Sequence, residues 1–142
     1  FAMSIALGYP DAASERELLR GVDKRAQLAA LPAVMSPEQW AQYQAQVHHI
    51  HVSEDLLDYV QALLAATRQR QWCEQGLSPR AGLSLLKLCR AWALLQGRAH
   101  VSPQDVQSVW GPAVAHRMVV ASPQGGSALT HAQAILHAVA VP

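Results

Sequence analysis

Ser78-Pro79-Arg80-Ala81-Gly82-Leu83-Ser84-Leu85-Leu86-Lys87-Leu88-Cys89-Arg90-Ala91-Trp92-Ala93-Leu94-Leu95-Gln96-Gly97 is the stretch that decides the fold. Ser at the cap followed by Pro at the first helical position is a helix start, and Gly97 is placed to end it as the residue just past the C-cap. Ala81, Leu85, Leu88, Trp92 and Leu95 recur at helical spacing and predict the core stripe. Leu86, Cys89 and Ala93 widen it, so this helix is expected at the centre, buried on more than one side.

Helix starts recur on both sides. Upstream, Ser53-Glu54-Asp55 predicts a helix to about Arg68, with Leu56, Tyr59, Val60, Leu63 and Leu64 inward. Ser36-Pro37-Glu38-Gln39 predicts another to about Gln46. Ala13 to Arg20 and Lys24 to Leu31 read as short helices, the second weak, and Val47 to Val52 as an extended connector. Downstream, Ser102-Pro103-Gln104-Asp105 starts a helix with Val106, Val109, Trp110 and Val114 inward. A linker, Ser122 to Gly126, precedes a last amphipathic helix, Ser127 to Val139. The expected fold is all-α, a small helical bundle. Phe1 to Leu7 reads as a short orphan strand, broken by Gly8-Tyr9-Pro10, with no partner strand legible elsewhere. The chain is therefore expected to be cut just inside a preceding domain.

Composition narrows the function classes. The chain has 142 residues, 51% of them hydrophobic and 15% charged, which argues for one folded domain. A net charge of +1 excludes a strongly basic nucleic-acid or membrane-surface protein on bulk charge. The apolar runs are too short for a membrane span. Cys73 and Cys89 fit no metal or redox spacing, so buried free thiols in a reducing cytoplasm are expected.

One helix start breaks a rule. Of the helices expected to begin with Ser, three carry acids in the first turn: Glu38, Glu54 with Asp55, and Asp105. Negative charge belongs there, because the N-terminal end of a helix is partially positive. The Ser78 helix carries Arg80 instead. Free N–H groups, the helix dipole and a guanidinium together would make an anion site with phosphate as the natural guest. The charge distribution agrees, since from Gln75 onward Arg80, Lys87, Arg90, Arg98 and Arg117 face a single acid, Asp105. The plainer alternative is that Arg80 pairs with an acid such as Glu74 or points into water.

Other groupings carry less. His48-His49-Ile50-His51 would put His49 and His51 on one face of an extended segment, but two ligands do not make a metal site. His100, His116, His131 and His137 read as structural or exposed. Trp92 and Trp110 are expected in the core, Trp40 and Trp72 partly exposed where a neighbouring subunit could cover them. Arg68 suits a helix C-terminus or a contact with a neighbour or nucleotide, and Arg98 and Arg117 suit salt bridges or an interface.

Gly76-Leu77-Ser78-Pro79-Arg80-Ala81 resembles the Gly-x-Ser-Pro-Arg-Ala motif of the MoxR family of AAA+ ATPases. The resemblance continues through Trp92 to Arg98, Val101 to Val106, and His116-Arg117, and upstream at Gly8-Tyr9-Pro10 and Ala66-Thr67-Arg68. It departs at Gln104, where that family usually has Glu. It implies an end of the α/β core and a hinge over residues 1–10, a helical lid over 11–121, and a linker and C-terminal helix over 122–142. It implies that Arg80 is the sensor 2 arginine, with Ser78, Pro79 and Ala81 beside the nucleotide and Gly8, Tyr9 and Pro10 as hinge. Arg68, Arg98 and Arg117 become interface or nucleotide residues, and no resident metal is expected in this stretch. ATP and Mg2+ would be used by the full-length protein, an ATP hydrolase. Its expected partners are its own core, a homo-oligomeric ring (a hexamer) and a von Willebrand A-type domain protein, in chaperone-like remodelling. The chain has no Gly-x-x-x-x-Gly-Lys-Ser/Thr loop and no acidic Walker B strand, so alone it is expected to be inactive. The alternative is a free-standing helical module that binds protein or DNA, although the helix carrying Arg80 and Lys87 is too apolar to lie in a groove.

Overall fold

The computed structural model describes residues 1–21, 28, 30–120 and 126–142. In chain order the described elements are α1 (Ala12–Leu19), α2 (Pro37–Val47), α3 (Glu54–Thr67), β1 (Cys73–Gln75), α4 (Pro79–Leu95), α5 (Pro103–Val114), a 3-10 turn (Ala115–Arg117), β2 (Val119–Val120) and α6 (Ala128–Ala138). The expected weak helix Lys24 to Leu31 and the linker Ser122 to Gly126 lie largely outside the described residues.

Capping explains where the helices begin. Asp11, Ser36, Ser53, Ser78 and Ser127 each accept a hydrogen bond from the backbone N–H three residues on. At Ser36 the bond is reciprocal, because Gln39 Oε1 accepts from the Ser36 N–H at 2.8 Å. Gly97, at φ +72°, takes the left-handed conformation that ends α4, as its position predicts.

The core lies where α3, α4, α5 and α6 meet, and α4 against α5 is its most extensive contact. Trp110 is fully buried there and spends its indole N–H on the Ala132 carbonyl at 2.7 Å, joining α5 to α6. The buried line of α4 is Ala81, Gly82, Leu85, Cys89 and Ala93. This corrects the expected stripe: Trp92 is 39% exposed and Leu95 78% exposed. Small residues mark the buried line because the helices approach closely along it. A Cβ on Gly82 would stand 2.6 Å from Leu64 Cδ1.

The all-α expectation holds, with one small addition. β1 pairs antiparallel with β2, and His51 forms an isolated bridge with His100. The expected connector is thus partly helical: α2 continues through Val47, and His51 then exchanges backbone bonds with Ala99 and Val101 at 2.9 Å. Phe1 to Leu7 does not form a strand, since no neighbouring strand offers it a ladder among the described residues. It is anchored through Ser4, whose N–H donates to the Pro112 carbonyl at 2.8 Å.

Candidate functional site

The start of α4 is held in place by the end of α3. Thr67 is fully buried; its hydroxyl donates to the Leu64 carbonyl at 2.7 Å and accepts the Leu77 N–H at 3.0 Å. Arg68 donates from Nε to the Leu77 carbonyl at 3.2 Å. Gly76 passes so close that a Cβ there would sit 2.6 Å from the Thr67 carbonyl oxygen and 2.7 Å from Arg68 Cα. Backbone cannot yield as a side chain can, so position 76 needs glycine for space. Arg68 therefore caps α3 and fastens the approach to α4.

Ser78 ends this clasp and begins the helix. Its hydroxyl accepts the Ala81 N–H at 3.3 Å, and its carbonyl accepts the Gly82 N–H at 3.3 Å. Pro79 has no N–H to offer. Of the first-turn amides expected to be free, this leaves the Arg80 N–H, so the site relies on side-chain charge more than on a cradle of amides. Ala81 turns into the core and can offer only backbone. Arg80 is exposed, and its guanidinium bonds to no described residue, so the pairing with Glu74 is not formed. The acid-free start is not unique, because α6 also lacks a first-turn acid. What sets α4 apart among the described helices is the arginine in that turn.

The 3-10 turn brings a second cation to the same place. Arg80, Ser78, Ser84, His116 and Arg117 line an open groove of about 490 Å3, together with Gln75, Gly76, Leu77, Ala81 and Phe1. None of these lining residues is an acid. His116 and Arg117 are distant in sequence from Arg80, and the turn after Val114 is what carries them back to α4. The sequence singled out both without showing that they share a groove.

The remaining candidates lie elsewhere. Arg98 makes a two-pronged ion pair with Asp105, through Nη1 to Oδ2 at 2.6 Å and through Nη2 to Oδ1. Asp105 Oδ2 also accepts the Ser102 N–H at 2.7 Å and its hydroxyl at 2.9 Å. Burial pushes the Asp105 carboxyl up, but Arg98 and the Ser102 groups outweigh it and hold it below the ordinary aspartate range. Arg98 is thus a salt-bridge residue that closes the α4–α5 turn. Gly8, Tyr9 and Pro10 are exposed, with Gly8 at φ +70°. Cys73 and Cys89 are free and buried, and burial followed by the nearby Asp105 charge pushes the Cys89 thiol up to about 12. Among the described residues no group of three or more His, Cys, Asp or Glu is placed to hold a metal ion, and no helix is long and apolar enough to cross a membrane.

Comparison with known proteins agrees with this architecture. Residues 65–139 match the model of the AAA lid domain family. Chaperone MoxR1 of Mycobacterium tuberculosis is 31% identical over 129 residues, which is 84% of this chain and 34% of that protein. The uncharacterized protein YeaC of Bacillus subtilis is 29% identical over all of this chain and 45% of its own length. A crystal structure of a protein assigned as an ATPase, from Cytophaga hutchinsonii, superposes with a TM-score of 0.86 at 26% identity, covering all of this chain and 47% of that one. The chain thus spans less than half the length of each of these relatives. The clasp at Gly76, the Ser-Pro-Arg helix start and the bundle around Trp110 all lie within or beside the matched segment, and the chain belongs to the AAA lid domain family, in its MoxR branch.

Proposed function

We propose that this chain is the lid of an ATP-hydrolysing AAA+ protein and that Arg80 is its sensor 2 arginine. The observation that carries the reading is an exposed guanidinium without a partner among the described residues, in the first turn of α4, in a groove that also holds Arg117 and no carboxylate among its lining residues. Basic groups gathered without acids suit phosphate oxygens. The nucleotide and its Mg2+ would be bound by a preceding core, to which residues 1–7 belong in this reading, with 8–10 as the hinge and 11–121 as the lid. ATP supplies the phosphoryl group whose transfer to water spreads negative charge over its oxygens. Arg80 stabilises that charge electrostatically, and its position at the rigid start of a buried helix keeps it aimed. Ser78 and Pro79 set the helix start that orients it. Arg117 is the second cation of the same groove, and Arg68 acts by fixing Leu77.

The proposed assembly is a homo-oligomeric ring, hexameric by family resemblance, in which lid movement remodels client proteins together with a von Willebrand A-type partner. The chaperone name of the mycobacterial relative supports that direction. A cytoplasmic location accords with the two free thiols.

The test is steady-state ATP hydrolysis by the full-length protein with Arg80→Ala. Loss of one charge contact to the transition state should lower the rate about 10²-fold or more with the fold intact. An unchanged rate would refute the sensor role.

A further inference from the structure

No side chain of segment 1–4 is fully buried, yet the segment is fixed to the lid at two points. The Ser4 N–H bonds the Pro112 carbonyl at the end of α5. Arg117 Nη2 donates to the Phe1 carbonyl at 2.7 Å and stands 3.3 Å from that of Ala2. His116 Nε2 lies 3.4 Å from the same Phe1 oxygen and accepts from Arg117 Nε at 3.2 Å. Phe1, Ile5 and Leu7 remain exposed and only Met3, at 37% exposure, is partly covered, so apolar burial adds little to these bonds. Past them comes Gly8 at φ +70°, with open space around it. The cation that holds the segment is also the second cation of the Arg80 groove.

We propose that Arg117 is a positioning residue that latches segment 1–4 onto the lid across the Gly8-Tyr9-Pro10 turn, and that an anion in the Arg80 groove draws Arg117 away and releases the segment. The release rests on the phosphate-facing reading of that groove. A guanidinium bonds a phosphate in two-pronged, charge-assisted fashion, more strongly than it bonds neutral carbonyls. An anion that binds the unlatched arrangement better shifts the population toward it. Occupancy of the groove is thereby converted into freedom at the turn.

The test uses the 15N-labelled 142-residue chain, which carries the buried hydrophobic residues from Ile50 to Ile135. Amide exchange at Ser4 should be about tenfold slower than at Leu7, whose N–H the fold leaves unbonded. Arg117→Ala should bring Ser4 to the Leu7 rate without changing Tm, and Arg117→Lys should restore part of the protection. Inorganic pyrophosphate at constant ionic strength should shift the Arg80 and Arg117 side-chain signals together and speed Ser4 exchange. Ser4 protection that survives Arg117→Ala overturns the latch. Pyrophosphate that shifts both guanidinium signals while Ser4 stays protected overturns the release. If pyrophosphate moves neither signal, the phosphate reading of the groove and the release fall together, while the Arg117→Ala result still decides the latch.

Discussion

The helices α1 and α2 and the bundle of α3 to α6 are built on different physics. The second region holds the buried hydrophobic residues, from Ile50 to Ile135, while α1 and α2 contain none. Local bonds order α1 through the Asp11 cap and start α2 through the reciprocal Ser36–Gln39 pair, and α2 also lies against α4 without burying a hydrophobic residue of its own. Leu18, Leu19, Val34, Trp40 and Tyr43 stay exposed. Helices of this length are marginal without buried tertiary packing, so α1 and α2 lean more heavily on their caps than the helices of the core do. The clasp, Arg80, Arg117 and all of the groove's lining except Phe1 belong to the packed region, where a side chain can be held to a fixed position.

Paired tryptophan substitutions would break this contrast most sharply. Trp110→Ala should cost about 3–5 kcal/mol in urea unfolding, through a cavity and the loss of the indole bond to the Ala132 carbonyl. Trp40→Ala, at 58% exposure, should stay within about 0.5 kcal/mol. Equal costs would mean that the first region is packed after all.

A smaller effect sharpens the electrostatic side. The Asp105 carboxyl is lowered in the folded state, so its contribution is present above its unfolded value, about 4, and is lost as pH falls through the folded value. Stability should therefore drop on acidification below about pH 4, and Asp105→Asn should be less stable at pH 7 and lose less on the way down. Thermal unfolding across pH 2–7 measures both.

The smallest expected effect is local. Ser36→Ala removes a cap worth about 1 kcal/mol to α2. It should raise amide exchange in residues 37–41 and leave the global unfolding midpoint unchanged. A shift in the global midpoint would show that α2 unfolds with the core.

The helix starts were legible because Ser-Pro and Ser-acid signals act within one turn of chain. The face of α4 was not. Trp92 and Leu95 are the more hydrophobic residues, but the close approach of Leu64 to Gly82 selects the small ones for burial. The β1–β2 pair was illegible because a strand of two or three residues shows no alternation. Arg80 stood out at once, since a cation in a first turn breaks a local rule. Its neighbour Arg117 could not be paired with it by spacing, because a 3-10 turn sets that contact. Thr67 was quoted as part of a motif, but its buried hydroxyl spans residues 64 to 77, a role only the fold reveals.

The turn between α4 and α5 has a consequence for how the chain acquires its shape. Only residues 96–102 separate the two helices that share the largest contact, and Arg98 reaches Asp105 across that turn. Closing so short a loop costs little entropy, whereas β1 must find β2 from opposite sides of the hairpin, and His51 must find His100. The helical hairpin is thus the economical folding nucleus, and the two small strand contacts are late. Mutations at Val106 or Ala93 should slow folding, and mutations at Cys73 or Val120 should chiefly speed unfolding.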